Sequence, residues 1–208
     1  MTRIRRRRYS TSWFCIILNV SNINGKAAKL SLPLVITDAT DADMGEIQAI
    51  YAWHVLHGIA SFETEPPSVA NMMARRAAVL DQGLPWLAAR LDGRVVGYCY
   101  LGLYRPRHAY RFTVEDSVYI HARMGGRGIG YALLAEAIDR AQRDGRRQML
   151  AVIGNSGNIG SIRLHEKLGF RLIGTLDAVG FKQGRWVDTL LMQRSLGEGQ
   201  DTLPVPGA

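Results

Sequence analysis

Cysteine is scarce, and long apolar runs are missing. Two cysteines, Cys15 and Cys99, occur in 208 residues, too few for a disulfide framework or a cysteine metal quartet. A reducing, cytoplasmic setting is expected from that usage. The longest candidate for a span, residues 13–18, falls far short of the roughly 18 apolar residues that a membrane helix needs, so no membrane partner is expected. Acid is absent from the start of the chain. Residues 1–33 hold Arg3, Arg5, Arg6, Arg7, Arg8, Lys26 and Lys29 but no Asp or Glu. That stretch supplies nearly all of the formal charge of +8, because from residue 34 onward 19 basic residues face 18 acidic ones. A polyanion groove needs cations clustered on the folded surface, so nucleic acid is not an expected partner. The chain also lacks G-x-G-x-x-G and G-x-x-x-x-G-K-[ST], which weakens dinucleotide and ATP readings.

With 47% apolar and 21% charged residues the chain has the make-up of one globular domain with tails. The Arg-rich leader, 1–33, has the composition of a targeting segment, but its apolar core is short and no small-x-small cleavage pattern follows. A disordered or artefactual extension is expected there. Residues 197–208, with two prolines and no apolar periodicity, read as a flexible tail. The folded unit is then 34–196, without internal repeats.

Apolar spacing predicts a strand over 34–37, a helix from 40 or 41 to 57 and a second helix from Ser68 to 80. Strands over 86–91 and 94–104 flank Asp92-Gly93, a strong hairpin signal. A strand over 113–121 leads through a glycine cluster into a helix over 128–143, ended by Gly145. A strand over 149–153, a helix over 158–168 closed by Gly169, and a hairpin of 171–181 with 186–193 complete the order. Helices and strands mix without strict alternation. The fold class is α/β (α+β), a mixed and mainly antiparallel central sheet flanked by helices.

The most informative stretch is Ser117-Val-Tyr-Ile-His121, then Gly125-Gly-Arg-Gly-Ile-Gly130, then Tyr131-Ala-Leu-Leu134. Strand, glycine loop and helix follow one another. Helix-start N–H groups with glycine access suit a phosphate or pyrophosphate. Taken alone, the same glycines could simply tighten a strand-to-helix turn. The His54 and His57 pair has the spacing of a partial metal site, but no third ligand is suitably placed, so no metal is expected.

Three segments together resemble the GNAT superfamily of N-acetyltransferases, more narrowly its phosphinothricin and methionine sulfoximine acetyltransferase branch. They are Thr113-Val-Glu-Asp-Ser-Val-Tyr-Ile-His121, the loop Gly126-Arg-Gly-Ile-Gly130, and Asn158-Ile-Gly-Ser-Ile-Arg-Leu-His-Glu-Lys-Leu-Gly-Phe170. The similarity covers about residues 35–195 in the family's element order. One departure stands out: Gly125 occupies the place where the family pattern [QR]-x-x-G-x-[GA] has Gln or Arg. The register Arg123-x-x-Gly126-x-Gly128 also matches, but would shift the helix by two residues.

The resemblance implies acetyl transfer from acetyl-CoA to the primary amine of a small amino-acid analogue. It implies Glu115 as base and His165 as the group that protonates or contacts the departing sulfur. Val118, Tyr119 and Ile120 would present backbone to the pantetheine arm. Gly126, Arg127, Gly128, Ile129, Gly130 and Tyr131 would hold the pyrophosphate, with Asn158 and Lys167 as further cofactor contacts. At the acceptor it implies Arg105 beside Pro106 as a carboxylate clamp, Arg111 in reserve, Phe62 as an aromatic wall, and Ser117 on the Glu115 face. Asn158 also reads as a helix cap, His165 as a structural histidine, Lys167 and the arginines as surface charge, and Phe62 as core. The branch implies a homodimer. A protein or peptide amine acetyltransferase and a non-catalytic acyl-CoA binding module are the alternatives.

Overall fold

The computed structural model describes residues 14–16 and 33–204. Its elements are β1 (Phe14–Ile16), β2 (Leu34–Asp38), α1 (Met44–His57), α2 (Val69–Asp81), β3 (Trp86–Leu91), β4 (Arg94–Leu103) and β5 (Thr113–Ile120). Then come α3 (Ile129–Arg143), β6 (Gln148–Gly154), α4 (Ile159–Lys167), β7 (Arg171–Lys182) and β8 (Arg185–Ser195). The strands form one sheet in the order β1-β2-β3-β4-β5-β6-β8-β7. Every pairing is antiparallel except β5 with β6. The mixed, mainly antiparallel sheet expected from the sequence is therefore present.

Strand alternation sends successive side chains to opposite faces, and this builds two cores. On one face Leu87, Cys99, Leu101, Val114 and Met149 meet Leu133, Leu134, Ala137 and Ile138 of α3. On the other, Trp86, Ala88 and Tyr98 meet Met44, Ile47, Ile50 and Tyr51 of α1 and Met72 of α2. Each large side chain withdrawn from water in this way contributes about 1.5–3 kcal/mol.

Local chemistry sets the ends of the elements. Thr40 and Asp43 form a capping box ahead of α1, and the Ser68 hydroxyl accepts from the Asn71 N–H at the start of α2. Asp92 and Gly93 both take positive φ, 52° and 72°, as a two-residue hairpin turn requires. Gly145 takes φ 77° after α3, with the Arg146 N–H reaching back to the Ala141 carbonyl.

Two expectations meet additional contacts. Of the leader, Phe14–Ile16 pairs antiparallel with β2; residues 1–13 and 17–32 lie outside the described residues. Residues 197–204 are tied to the domain through Arg147, which donates to the Thr202 hydroxyl and the Leu203 carbonyl and lies 3.6 Å from Glu198. A guanidinium with donors on several sides can hold such a segment without apolar periodicity in it.

Gly97 of β4 lies beside Ile120, the last residue of β5 in the ladder between them. A Cβ there would stand 2.8 Å from Ile120 Cδ1 and 3.1 Å from the Tyr119 carbonyl oxygen. Gly97→Ala is expected to destabilise the fold by about 1–3 kcal/mol, since backbone would have to shift. A urea titration with an unchanged slope checks it.

Candidate active site

β5 and β6 begin side by side and then part. Their parallel pairing runs from Thr113↔Gln148 to Asp116↔Ala151 and stops there, although β5 continues to Ile120 and β6 to Gly154. Each arm keeps its outer neighbour: Gly97↔Ile120 on β4 and Gly154↔Thr189 on β8. Alternate backbone groups over residues 117–120 thus face a gap where β6 would continue the ladder. Val118, Tyr119 and Ile120 all lie on this arm.

The glycine loop opens beside the fork. Gly126 and Gly128 have φ of 73° and 79°, and Gly128 caps α3. The first bond of that helix runs from the Ala132 N–H to the Gly128 carbonyl. Among the described residues, no backbone N–H from Gly125 to Tyr131 donates to a protein acceptor. Ile129 is anchored in the core, while Gly125, Gly126 and Arg127 are exposed. Left-handed backbone at two glycines, a run of open donors and the positive end of a helix dipole together suit an anionic diphosphate. Gly130 carries no side chain where a Cβ would meet Leu164 of α4 at 3.2 Å, so α3 and α4 approach closely.

Alternation along β5 splits two neighbouring acids. Glu115, Ser117 and Tyr119 share the face on which Tyr119 meets Tyr51 and His54 of α1. Glu115 is half-buried there. Burial, then the negative charge of Asp116, pushes its carboxyl above the ordinary glutamate range, against the opposing charge of Arg105. Asp116 goes to the α3 face and is buried; its Oδ2 lies 3.1 Å from His165 Nε2.

His165 also places Nδ1 2.8 Å from the Ser161 carbonyl oxygen. A carbonyl only accepts, so Nδ1 carries hydrogen, and the Asp116–His165 contact then needs a further proton on Nε2 or on the carboxyl. Burial opposes the charged ring, but the Asp116 hydrogen bond and charge, with the Ser161 carbonyl, outweigh it and raise the His165 pKa. His165 is 2% exposed. It therefore stands apart from the Glu115 face with both nitrogens engaged, an arrangement that differs from a side chain open to a departing sulfur.

The remaining candidates fall into place unevenly. Asn158 caps α4, its Oδ1 accepting from the Ser161 N–H at 3.3 Å, and Lys167 is exposed at the far end of that helix. Arg105 is exposed, its guanidinium carbon 5.0 Å from the centre of the Tyr104 ring, and its charge reaches Glu115. Pro106 is exposed beside it. Arg111 turns onto Phe112 at 4.2 Å and donates to the His108 carbonyl. Phe62 sits in the loop after α1 and is 41% exposed. His54 uses Nε2 on the Ile120 carbonyl at 2.8 Å, which fixes the tip of β5 rather than a metal.

The profile of the Acetyltransferase (GNAT) family matches residues 47–170. The chain belongs to this family. Among GNAT proteins it is 53% identical to the phosphinothricin N-acetyltransferase of Alcaligenes faecalis over 164 residues, covering 79% of this chain and 83% of that one. It is 39% identical to the L-methionine sulfoximine/L-methionine sulfone acetyltransferase of Salmonella typhimurium over 165 residues, 79% of this chain and 96% of that one. A crystal structure of a GNAT superfamily phosphinothricin acetyltransferase from Sinorhizobium meliloti, in complex with AcCoA, superposes with a TM-score of 0.81 at 46% identity. It covers 84% of this chain and 95% of that one.

The GNAT site also contains residues that sequence reasoning passed over. Arg75 of α2 donates from Nη1 and Nη2 to both carboxylate oxygens of Glu63, at 2.5 and 3.2 Å. The Tyr51 hydroxyl donates to Glu63 Oε1 at 2.9 Å and lies 3.0 Å from the Ser61 hydroxyl. Burial pushes the Tyr51 pKa to about 12, so it stays a donor. Against its own burial, Glu63 is held below the ordinary carboxylate range by Arg75 and Tyr51. Arg75, Glu63 and Glu115 all act electrostatically on Tyr100, which lies opposite Ser117 on β4. The helpful signal was the acidic and basic residues flanking Phe62 and lying in α2, but nothing in the sequence pairs them.

The buried Asp116–His165 pair leads to a pH-dependent expectation. A histidine pKa raised by folding adds stability that is fully present below the unfolded value and is lost as pH rises through the folded value. Asp116→Ala should therefore destabilise the fold most near pH 6, by about 3 kcal/mol as for other buried pairs stripped of one partner. The deficit should shrink toward pH 9, as read from denaturant titrations across that window.

Proposed function

We propose that this acetyltransferase moves an acetyl group from acetyl-CoA to the primary amine of a small amino-acid analogue of the phosphinothricin or methionine sulfoximine type. One observation carries the reading: the open N–H run at the start of α3 adjoins the arm of β5 that β6 leaves unpaired, and half-buried Glu115 stands just before that arm begins. Diphosphate, pantetheine and thioester could then lie in sequence from the loop to Glu115. The relatives named above as phosphinothricin and methionine sulfoximine acetyltransferases support the choice of acceptor.

In this reading Gly126, Arg127, Gly128, Ile129, Gly130 and Tyr131 hold the diphosphate, and Val118, Tyr119 and Ile120 receive the pantetheine arm along their backbone. Asn158 and Lys167 flank the coenzyme from α4. Glu115 takes a proton from the acceptor ammonium, directly or through water. The neutral nitrogen then attacks the thioester carbonyl carbon, the C–N bond forms, the C–S bond breaks, and the thiolate leaves to take up a proton. A carboxyl group with a raised pKa suits a base better than an ordinary exposed glutamate does. Arg105, beside Pro106, attracts the acceptor's carboxylate, with Ser117 and Phe62 lining the same end and Arg111 in reserve. His165 supports Asp116 and the fork from behind.

A homodimer accompanies this reading. Leu172, Ile173, Leu176, Val179, Phe181 and Trp186 of the β7–β8 hairpin are all exposed, Trp186 by 68%. An edge strand with apolar side chains open to water on this scale marks a contact surface. Val179→Asp should convert a dimer to monomer in light scattering. A cytoplasmic setting is part of the same proposal.

The test is thiol release from acetyl-CoA with phosphinothricin, methionine sulfoximine, methionine sulfone, ordinary amino acids and peptides as acceptors. Turnover confined to peptides would favour protein acetylation, and coenzyme binding without any turnover a non-catalytic module. Glu115→Gln should lower kcat about 10²- to 10⁴-fold with little change in coenzyme A affinity. Activity of the wild type should fall as pH drops through the raised Glu115 pKa. The ionised group costs stability once pH passes above its unfolded pKa, so Glu115→Gln should raise Tm at neutral pH. An unchanged rate in that variant would remove Glu115 from the base role.

A further inference from the structure

We propose that Lys182 is a positioning residue for the acceptor end of this site, acting through the loop that carries Phe62; the inference rests on the acetyl-acceptor reading above. Lys182 ends β7, yet its side chain turns inward and is buried, and its Nζ donates to the Ser61 carbonyl at 2.6 Å. Among the described residues no carboxylate lies within 4.0 Å of it. Glu63 attracts it from beyond that distance, but an ammonium removed from water onto one carbonyl is an expensive way to fill space, and an apolar residue would pack there more cheaply. The charge is therefore explained by what it holds.

What it holds is the segment 58–63. Two residues earlier on the same strand, a Cβ on Gly180 would stand 1.9 Å from Cε1 and 2.3 Å from Cδ1 of the Phe62 ring. The ring lies directly on the backbone of β7, and only glycine leaves room for it. The strand reaches this position through an irregularity between Leu176 and Gly180, where Ala178 takes φ 52°. From the opposite side the Ser61 hydroxyl lies 3.0 Å from the Tyr51 hydroxyl and accepts from the Glu63 N–H. The Ala60 carbonyl oxygen comes within 2.7 Å of where a Gly154 Cβ would lie, at the end of β6. The loop is thus clamped by β7, by α1 and by the arm of the fork. Despite this, the Phe62 ring remains 41% exposed. A ring held firmly but left open on one face is suited to meeting a ligand rather than to filling a core. Lys182 fixes where that face stands.

Lys182→Met keeps most of the apolar stem and removes the donor. In the folded variant the KM for whichever amine the wild type acetylates should rise about tenfold, while the KM for acetyl-CoA and the calorimetric Kd for coenzyme A stay within about twofold. Amide hydrogen exchange should speed up in 58–63 and not in α3. Combining Lys182→Met with Phe62→Ala should cost no more than Phe62→Ala alone, because both act through one ring. Should Lys182→Met fail to fold, Gly180→Ala, which displaces the ring directly, is expected to give the same split between the two KM values. Normal acceptor KM and normal exchange in the variants would overturn the inference while leaving the acetyltransferase reading intact. A wild-type enzyme that acetylates none of the amines would overturn that reading, and the role of Lys182 with it.

Discussion

A parallel strand pair that stops halfway organises this molecule. β5 and β6 are joined only through Asp116↔Ala151 and then diverge, each retained by an antiparallel neighbour on its other side. Unpaired backbone in a buried setting is costly, so an open ladder persists only where water or a ligand can complete it. The fork also explains where small residues are needed. Gly97 leaves room for the Ile120 and Ile129 side chains at the end of the diverging arm, Gly154 lets the 58–63 loop approach the other arm, and Gly130 brings α3 against α4 at the mouth. A side chain at any of these three positions would press on the opening from a different direction.

The point of divergence also separates two neighbouring acids. Glu115 and Asp116 are consecutive, but the pleat sends one toward the α1 face and the other into the α3 core. Asp116 has a ring nitrogen to compensate it and Glu115 has only the distant charge of Arg105. Two carboxyl groups one residue apart thereby meet different surroundings, one hydrogen-bonded in a core and the other half-buried without a hydrogen-bonding side chain among the described residues. His165 belongs with Asp116 in this division. Its bond to Asp116 ties α4 to the last paired residue of β5, so the helix that begins at Asn158 is referenced to the base of the fork. The other oxygen of that carboxyl, Asp116 Oδ1, is buried without a hydrogen-bond partner among the described residues.

Much of this was legible in the sequence because it is local. Apolar spacing located every strand and α-helix from Leu34 onward to within a few residues, Asp92-Gly93 predicted its hairpin, and the strand–glycine–helix order located the glycine turn ahead of α3. What stayed illegible joins segments far apart. Ser61 meets Lys182 across 121 positions and Asp116 meets His165 across 49. For His165 the motif left both a sulfur contact and a structural histidine open, because its orientation depends on an acid in another strand. Periodicity assigns a residue to a face; it does not say which partner waits there. The same limit hid the Arg75–Glu63 pair, whose members looked like ordinary surface charges.

The distribution of rigidity follows from these long-range contacts. The end proposed to take the coenzyme is built from backbone: glycines with positive φ, helix-start donors and a strand edge, none of which depends on a long side chain. That is why Gly125 can replace the usual Gln or Arg without altering the loop's register, since Gly126 and Gly128 still take left-handed φ and Ile129 is still buried. The end proposed to take the acceptor is built from side chains instead: Tyr51, Ser61, Glu63, Arg75 and Lys182 hold one loop through a connected set of bonds. A backbone cradle tolerates sequence change so long as its glycines remain. A side-chain lattice transmits each change to the ring it supports, so among chains of this fold variation in acceptor choice is expected to concentrate on that lattice and the Phe62 loop.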